Sequence, residues 1–243
     1  MKRLLSSALL GCAVFAVSPA TANTAKDVDL LFVIDRSGSM GGEFNTLADN
    51  VESFFNQLES DSRTGSVAGG LITYLDAPQL EQAITTDISA LKTTIDGVSV
   101  GGGEEDGLEA LRSGLPGGSL HSQIGWRNNT VKSFVLITDE DDDGPEDYAT
   151  AGQEIADAGY LNNIIVSGGG NEYAPSAVPS GAVFSLSAFT SDPTTFFTDF
   201  ANAKLGEIED TDPTPGVVPL PAGAWLLIGG LGALGAVRRR KSG

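Results

Sequence analysis

A short stretch of oxygen-bearing side chains follows an apolar segment near the start of the chain. Asp35 supplies a carboxylate, and Ser37 and Ser39 supply hydroxyls two and four residues later. In a loop that leaves a strand, this alternation can direct all three oxygen atoms to one point. Oxygen ligands suit a hard divalent cation such as Mg²⁺, Ca²⁺ or Mn²⁺. Three such ligands carry a single negative charge and leave the ion short of a full shell, so water or an acidic group of a partner would complete it.

The segment FVIDRSGSM resembles the metal-ion-dependent adhesion site (MIDAS) of von Willebrand factor type A and integrin I-like domains. In that family the pattern Asp-x-Ser-x-Ser follows the first strand. The resemblance extends over residues 27–205. The family also has an aspartate after the fourth strand, and Asp139 matches it because it follows the apolar run 134–137. The resemblance therefore implies that Asp139 contacts the cation directly or through water.

The second loop of the resemblance departs from the common family pattern. Many members carry a Gly-Gly-Thr loop there, whereas residues 101–111 of this chain contain no threonine. The loop is closer to the integrin β-subunit arrangement, in which a glutamate occupies this region. We predict Glu105 as the ligand, with Glu104 and Asp106 as alternatives. A carboxylate in place of a hydroxyl would strengthen cation binding and weaken the attraction for an acidic ligand.

Other acidic residues allow further interpretations. The run 140–143 is either a second calcium site beside the first or a solvated acidic loop. A metal-dependent hydrolase would need a general base near the cation, for which Glu104 or Glu140 could serve. The single histidine, His121, has no partner for a nucleophilic or zinc arrangement. We therefore predict a binding module and not an enzyme.

The order of the predicted elements indicates how these residues are positioned. Residues 28–34 are apolar apart from Asp29, as in a strand buried on both faces, and 43–58 have helical spacing. The remaining expected strands are 67–75 with a hairpin partner at 79–85, 130–138, 163–167 and 182–186, and the remaining helices are 88–95, 105–113, 146–158 and 193–204. This alternation predicts an α/β fold, a doubly wound and mostly parallel sheet flanked by helices, Rossmann-like, as the resemblance also implies. Function gathers at the carboxyl ends of such strands.

The amino terminus has the pattern of an export signal. Lys2 and Arg3 precede an apolar stretch, 4–17, and small residues at 20–22 suit signal peptidase, so we predict a signal peptide over 1–22. A competing interpretation takes Cys12 as the acylated residue of a lipoprotein box. The von Willebrand-like domain is then expected over 23–205.

The carboxyl terminus has the pattern of a sorting tail. An acidic linker rich in proline and threonine, 206–217, precedes an apolar span and the basic cluster 238–241. The motif of the tail is Val218, Pro219, Leu220, Pro221 and Ala222. Residues 218–243 resemble the VPLPA variant of the PEP-CTERM tail of Gram-negative bacteria, which implies processing by an exosortase-type enzyme. The alternative is a plain membrane anchor, and both interpretations place the domain outside the cytoplasm.

The charge balance excludes one class of partner. The chain has 32 acidic and 14 basic residues and a net charge of −18. Such a surface repels phosphate backbones, so we predict no nucleic-acid binding. The single cysteine cannot form a disulfide within the chain.

Taken together, these features predict an exported adhesion protein. It would stand at the cell surface, outside the cell, or in the inner membrane facing the periplasm, held through its carboxyl-terminal segment. Its cation would engage a protein or an acidic polysaccharide. The alternative is a structural matrix or biofilm protein in which the metal only stabilises the fold.

Overall fold

Strands and helices alternate along the part of the chain that the computed structural model describes, residues 25–145 and 147–211. The strands are β1 (Lys26–Asp35), β2 (Thr64–Leu75), β3 (Ala77–Thr85), β4 (Val131–Thr138), β5 (Leu161–Val166) and β6 (Val183–Ser185). The α-helices are α1 (Gly41–Glu59), α2 (Ile88–Asp96), α3 (Gly107–Gly114), α4 (His121–Ile124), α5 (Tyr148–Asp157), α6 (Leu186–Ser191) and α7 (Pro193–Asp210). Short 3₁₀ helices span Gly38–Met40 and Gly169–Ser176.

All six of these strands form one sheet in the order β3-β2-β1-β4-β5-β6. β3 is antiparallel to β2, and the other neighbouring pairs are parallel. The predicted fold class and the predicted hairpin are therefore confirmed. From β1 the chain crosses to β2 on one side, while β4 lies on the other side. The sheet thus has a topological switch point between β1 and β4, where ligands of open α/β sheets bind at the carboxyl ends of the strands.

The central strand β1 is buried on both faces because its apolar residues are continuous. Leu30, Phe32 and Ile34 pack into one hydrophobic core with residues of α1 and α7. Leu31 and Val33 pack into the opposite core with residues of α3 and α5. Each such side chain contributes about 1.5–3 kcal/mol through its burial. The two cores hold the carboxyl end of β1 in a fixed place.

Helix α3 begins later than predicted, at Gly107 and not at Glu105. The carboxylate of Asp106 caps it by accepting a hydrogen bond of 2.7 Å from the backbone N–H of Glu109. An aspartate at this position is a preferred helix N-cap. Glu105 consequently lies in the loop before the helix.

The last helix continues past the predicted end of the domain at residue 205. α7 ends at Asp210, so residues 206–210 are helical and do not belong to an extended linker. Ile208 is buried in the core beneath α1. The Lys26 ammonium donates hydrogen bonds of 2.8 Å to the carbonyl oxygens of Ile208 and Glu209, which a helix leaves unpaired at its end. This tertiary support explains the longer helix.

The two predicted terminal segments lie outside the described residues. These are the signal peptide at 1–22 and the sorting tail at 218–243, together with the remainder of the linker from 212 onward. None of the helices within 25–145 and 147–211 has the length and apolarity needed to cross a membrane.

Candidate metal site

The carboxylate of Asp35 lies at the end of β1, fully buried, and is held by neighbouring donors. Its Oδ1 accepts a hydrogen bond of 2.6 Å from the backbone N–H of Ser37. Its Oδ2 accepts hydrogen bonds from the hydroxyls of Ser37, at 3.1 Å, and Thr138, at 3.2 Å. Thr138 is the last residue of β4, so the ends of the two central strands are joined through Asp35.

The two serines and Asp139 continue this arrangement towards solvent. The hydroxyl oxygens of Ser37 and Ser39 are 3.0 Å apart. The Ser39 hydroxyl is exposed and donates to Oδ1 of Asp139 over 3.2 Å. The four predicted residues from the ends of β1 and β4 are therefore adjacent, and the exposed position of Ser39 leaves the group open on one side.

The loop that contains Gly101 and Glu105 is hydrogen-bonded directly to the loop after β1. The N–H of Gly101 donates to the carbonyl oxygen of Arg36 over 2.9 Å, and Gly101 forms a parallel bridge with Ser37. The side chain of Glu105 is 7% exposed, and its Oε2 is buried with no hydrogen-bond partner. Burial, together with the negative charge of Asp35, raises the pKa of Glu105 to about 8. The structure thus brings Glu105 to the carboxylate of Asp35.

Neither of the two alternatives to Glu105 is buried. Glu104 is exposed, and its backbone N–H and carbonyl group both bond to Asp76. Asp106 caps α3. Of the three acidic residues in the second loop, Glu105 is therefore the one aimed at the group formed by Asp35, Ser37, Ser39 and Asp139.

The acidic groups here raise one another's pKa values. The pKa of Asp35 is raised mainly by burial and additionally by the charge of Asp139. The pKa of Glu43, in the first turn of α1, is raised by burial and again by Asp139. The charges that raise the pKa values of Asp35, Glu43 and Glu105 are all those of neighbouring acidic residues. Carboxylates that face each other in this way favour either a shared proton or a cation.

The donors fit a hard cation. Glu105 Oε2 is an orphaned buried carboxylate oxygen, a costly arrangement that a cation would relieve. A grouping of three acidic, histidine or cysteine side chains in metal-binding geometry is not found among residues 25–145 and 147–211. The donor set is mixed, with the hydroxyls of Ser37 and Ser39 beside the carboxylates. Oxygen-only sets of this kind suit Mg²⁺, Ca²⁺ or Mn²⁺.

The acidic run 140–143 has a function that sequence reasoning missed. Asp142 is 5% exposed, and its Oδ1 accepts hydrogen bonds from the N–H of Leu108, at 3.0 Å, and the hydroxyl of Tyr173, at 2.8 Å. Asp143 accepts a hydrogen bond of 2.8 Å from the N–H of Glu105 and donates its own N–H to the Glu105 carbonyl oxygen. These two residues fasten the Glu105 loop to the loop after β4.

The interpretation of this run as a solvated loop is therefore wrong for Asp142, which is buried. Glu140 and Asp141 are exposed. The interpretation as a second calcium site stays a prediction. The pairing with α3 was not deducible from local spacing.

The chain belongs to the von Willebrand factor type A domain family, whose model matches residues 29–210. This match agrees with the six-stranded sheet and with the position of the site at its switch point. No curated protein sequence matches the chain.

Solved structures of proximal thread matrix protein 1 from the mussel byssus are similar to this chain. One crystal form is 16% identical, with a TM-score of 0.55, and the match covers 75% of this chain and 46% of that one. A second structure, described as having a zinc-occupied MIDAS motif, is 17% identical, with a TM-score of 0.58, and covers 76% and 47%. The chain thus spans less than half the length of these structures, and at this identity the likeness shows the fold.

Proposed function

We propose that this protein is an exported binding protein that holds one divalent cation and uses it to engage a ligand. The cation would lie among Asp35, Ser37, Ser39, Glu105 and Asp139. The observation that carries this proposal is the buried, unpartnered Oε2 of Glu105 beside the carboxylate of Asp35. No hydrogen-bond partner of this oxygen is found among residues 25–145 and 147–211, and a divalent cation would compensate its charge together with the hydroxyls of Ser37 and Ser39.

A bound cation would supply Lewis acidity that attracts an oxygen atom of a ligand. Asp35 is buried and hydrogen-bonded, so its carboxylate would hold the cation from the buried side of the site. Ser39 is exposed and Asp139 is half-buried, so the side of the site that they form is within reach of a partner. Since five side chains do not fill every position around a large ion such as Ca²⁺, a ligand oxygen or water completes the shell.

The ligand and the location are proposed from the sequence and from the similar structures. The export signal at 1–22 and the tail at 218–243 support a position at the surface of a Gram-negative cell, with processing by an exosortase-type enzyme or anchoring in the membrane. A mussel matrix protein with a zinc-occupied MIDAS motif supports a cation-dependent adhesive role. The ligand would be a protein or a polysaccharide of the extracellular matrix.

Retention of the purified full chain on extracellular matrix tests this proposal. We expect retention with Ca²⁺ or Mg²⁺, loss with a chelator, and loss in the Asp35→Asn variant. Asp49→Asn is the matched control, because Asp49 is an exposed acid of α1 away from the site. Circular dichroism in chelator must show an intact fold. Retention that a chelator leaves unchanged would overturn the adhesive role and favour a structural matrix protein.

A further inference from the structure

A groove of about 390 Å³ opens between α7 on one side and β6 with α6 on the other. It shares no residue with the candidate metal site. The N-cap and first turns of α7 contribute four lining residues at helical spacing, so these side chains lie on one face of the helix. They are Asp192, Thr195, Phe196 and Asp199. The volume of the groove is within the usual range for small-molecule sites.

The inner surface of the groove is apolar. Phe196 is 7% exposed, and Phe184 is half-buried. Their rings are in edge-on contact, with 6.3 Å between the centroids, and the ring of Phe184 also packs against that of Phe200 at 4.9 Å. Val183 and Ala188 extend the apolar surface along β6 and α6. Such a surface favours an apolar part of a ligand, because contact with it removes apolar area from water.

The charged side chains of the groove are both acidic. Asp192 and Asp199 are exposed, and Oδ1 of Asp192 accepts a hydrogen bond of 3.3 Å from the N–H of Thr195. Neither carboxylate forms an ion pair within the part of the chain that the structure describes. β6, α6 and α7 together contain one basic residue, Lys204, which is fully buried and paired with Glu207. The groove therefore offers two negative charges to a ligand.

The spacing of the two carboxylates limits the kind of ligand. Asp192 and Asp199 are seven residues apart, which corresponds to about 10 Å along a helix. One metal ion cannot bind both, because metal–oxygen distances are about 2.0–2.6 Å. Phe196 lies between them on the same face of α7. A ligand that contacts both carboxylates must therefore carry two positive charges joined by an apolar segment.

We propose that this groove binds a linear aliphatic diamine. One ammonium group would pair with Asp192 and the other with Asp199, while the methylene chain would lie across the rings of Phe184 and Phe196. An ammonium group near an aromatic face also gains a cation–π interaction. The net charge of the chain, −18, attracts such ligands from a distance. Because the groove is separate from the candidate metal site, binding there requires no metal ion.

Calorimetric titration of the full chain with three amines, in chelator, tests the proposal. 1,8-Diaminooctane has two ammonium groups on a long methylene chain, 1-aminooctane lacks one of these groups, and 1,2-diaminoethane lacks most of the chain. We expect 1,8-diaminooctane to bind at one site, at least about tenfold more tightly than either of the other amines, because only it combines both ion pairs with burial of the chain. Equal affinities for the three amines, or no saturable binding of 1,8-diaminooctane at millimolar concentrations, overturns the proposal.

Variants assign the binding to the groove. Asp199→Asn should weaken the binding of 1,8-diaminooctane to the level of 1-aminooctane, whereas Asp49→Asn, the same change at an exposed acid of α1, should leave it unchanged. Asp192→Asn should also weaken binding and keep α7 intact, because asparagine is an equally good N-cap. Ala188→Leu adds bulk to the lining and should reduce binding at least about tenfold. Unchanged binding in both groove aspartate variants would mean that the amine binds elsewhere, and the proposal would fail.

Light scattering distinguishes a small-molecule site from a contact between two copies of the chain. We expect the same mass for wild type and for Ala188→Leu, with and without 1,8-diaminooctane. A larger mass for wild type than for Ala188→Leu would show that a second copy fills the groove, and the diamine assignment would then be wrong. Binding of Ca²⁺, titrated separately, tests the proposed function, so the two proposals succeed or fail independently.

Discussion

The hydroxyl of Ser39 donates a hydrogen bond of 3.2 Å to the carboxylate of Asp139, which lies 100 residues further along the chain. Parallel pairing of β1 with β4 makes this contact, because it sets residues 28–34 beside residues 131–137. The loops that leave the two strands therefore start at the same edge of the sheet. The contact shows how a fold with a topological switch point assembles one site from distant segments.

Glu105→Gln should change stability and cation binding in opposite directions. Without a cation, the substitution removes a buried carboxylate that faces Asp35, so the free energy of unfolding should rise by on the order of 1–3 kcal/mol. With a cation, it removes a charged ligand, so the stabilisation that Ca²⁺ provides should shrink. Thermal unfolding in chelator and in Ca²⁺ measures both effects. A variant that is less stable in chelator would contradict this account of Glu105.

The stability of the cation-free protein should depend on pH because of the carboxyl group of Glu105. The folded-state pKa of Glu105 is raised from 4.5 to about 8. The folded state therefore binds more protons between these values, and the contribution of Glu105 to stability should fall as the pH rises from about 4.5 to about 8. Denaturant unfolding at several pH values, in chelator, tests this for wild type against Glu105→Gln. The difference between the two proteins should grow with pH, and a constant difference would contradict the prediction.

Asp143→Ala should weaken cation binding although Asp143 lies outside the proposed ligand set. It removes the acceptor of the Glu105 N–H and loosens the loop that carries Glu105. Loss of such supporting contacts typically lowers metal affinity 10–100-fold, and we expect about tenfold by calorimetry. Asp141→Ala, an exposed acid two residues earlier, is the control and should leave the affinity unchanged.

Arg127→Ala should destabilise the fold and leave the site intact. At the opposite end of β1, the buried carboxylate of Asp29 accepts hydrogen bonds from the backbone N–H and the guanidinium of Arg127. The variant keeps the backbone N–H and the Thr130 hydroxyl on Asp29 and loses only a guanidinium that is 28% exposed, so we expect a cost of about 1–3 kcal/mol. The denaturant midpoint should fall accordingly. Calcium affinity, measured where the variant is still folded, should equal that of wild type, and a large loss of affinity would mean that the two ends of β1 are coupled.

Much of the fold was predictable from periodicity. The continuous apolar run 28–34 identified the central strand, and the apolar residues 134–137 identified its neighbour β4. The limits of α3 and α7 were less predictable, because tertiary contacts decide them. The carboxylate of Asp106 caps α3, and the ammonium of Lys26 binds the end of α7 from the other end of the sequence.

The candidate site was likewise predictable from the sequence only in part. Asp35, Ser37 and Ser39 were visible from local spacing, and Asp139 from the family pattern. The choice of Glu105 over its two acidic neighbours needed the structure, because adjacent residues in a loop differ only in where the backbone directs them. The function of Asp142 and Asp143 as supports of that loop depends on contacts 34 and 38 residues apart. The local spacing of residues in the sequence does not indicate such long-range contacts.

Calorimetric titration of the full chain with Ca²⁺ and Mg²⁺ tests the central claim most directly, with Asp139→Asn and Asp141→Asn as a matched pair. Both substitutions remove one negative charge from the loop after β4, but only Asp139 touches Ser39. The account predicts saturable binding of one cation by wild type and by Asp141→Asn, and at least about tenfold weaker binding by Asp139→Asn. Equal binding by the two variants, or no saturable binding by wild type, would contradict it.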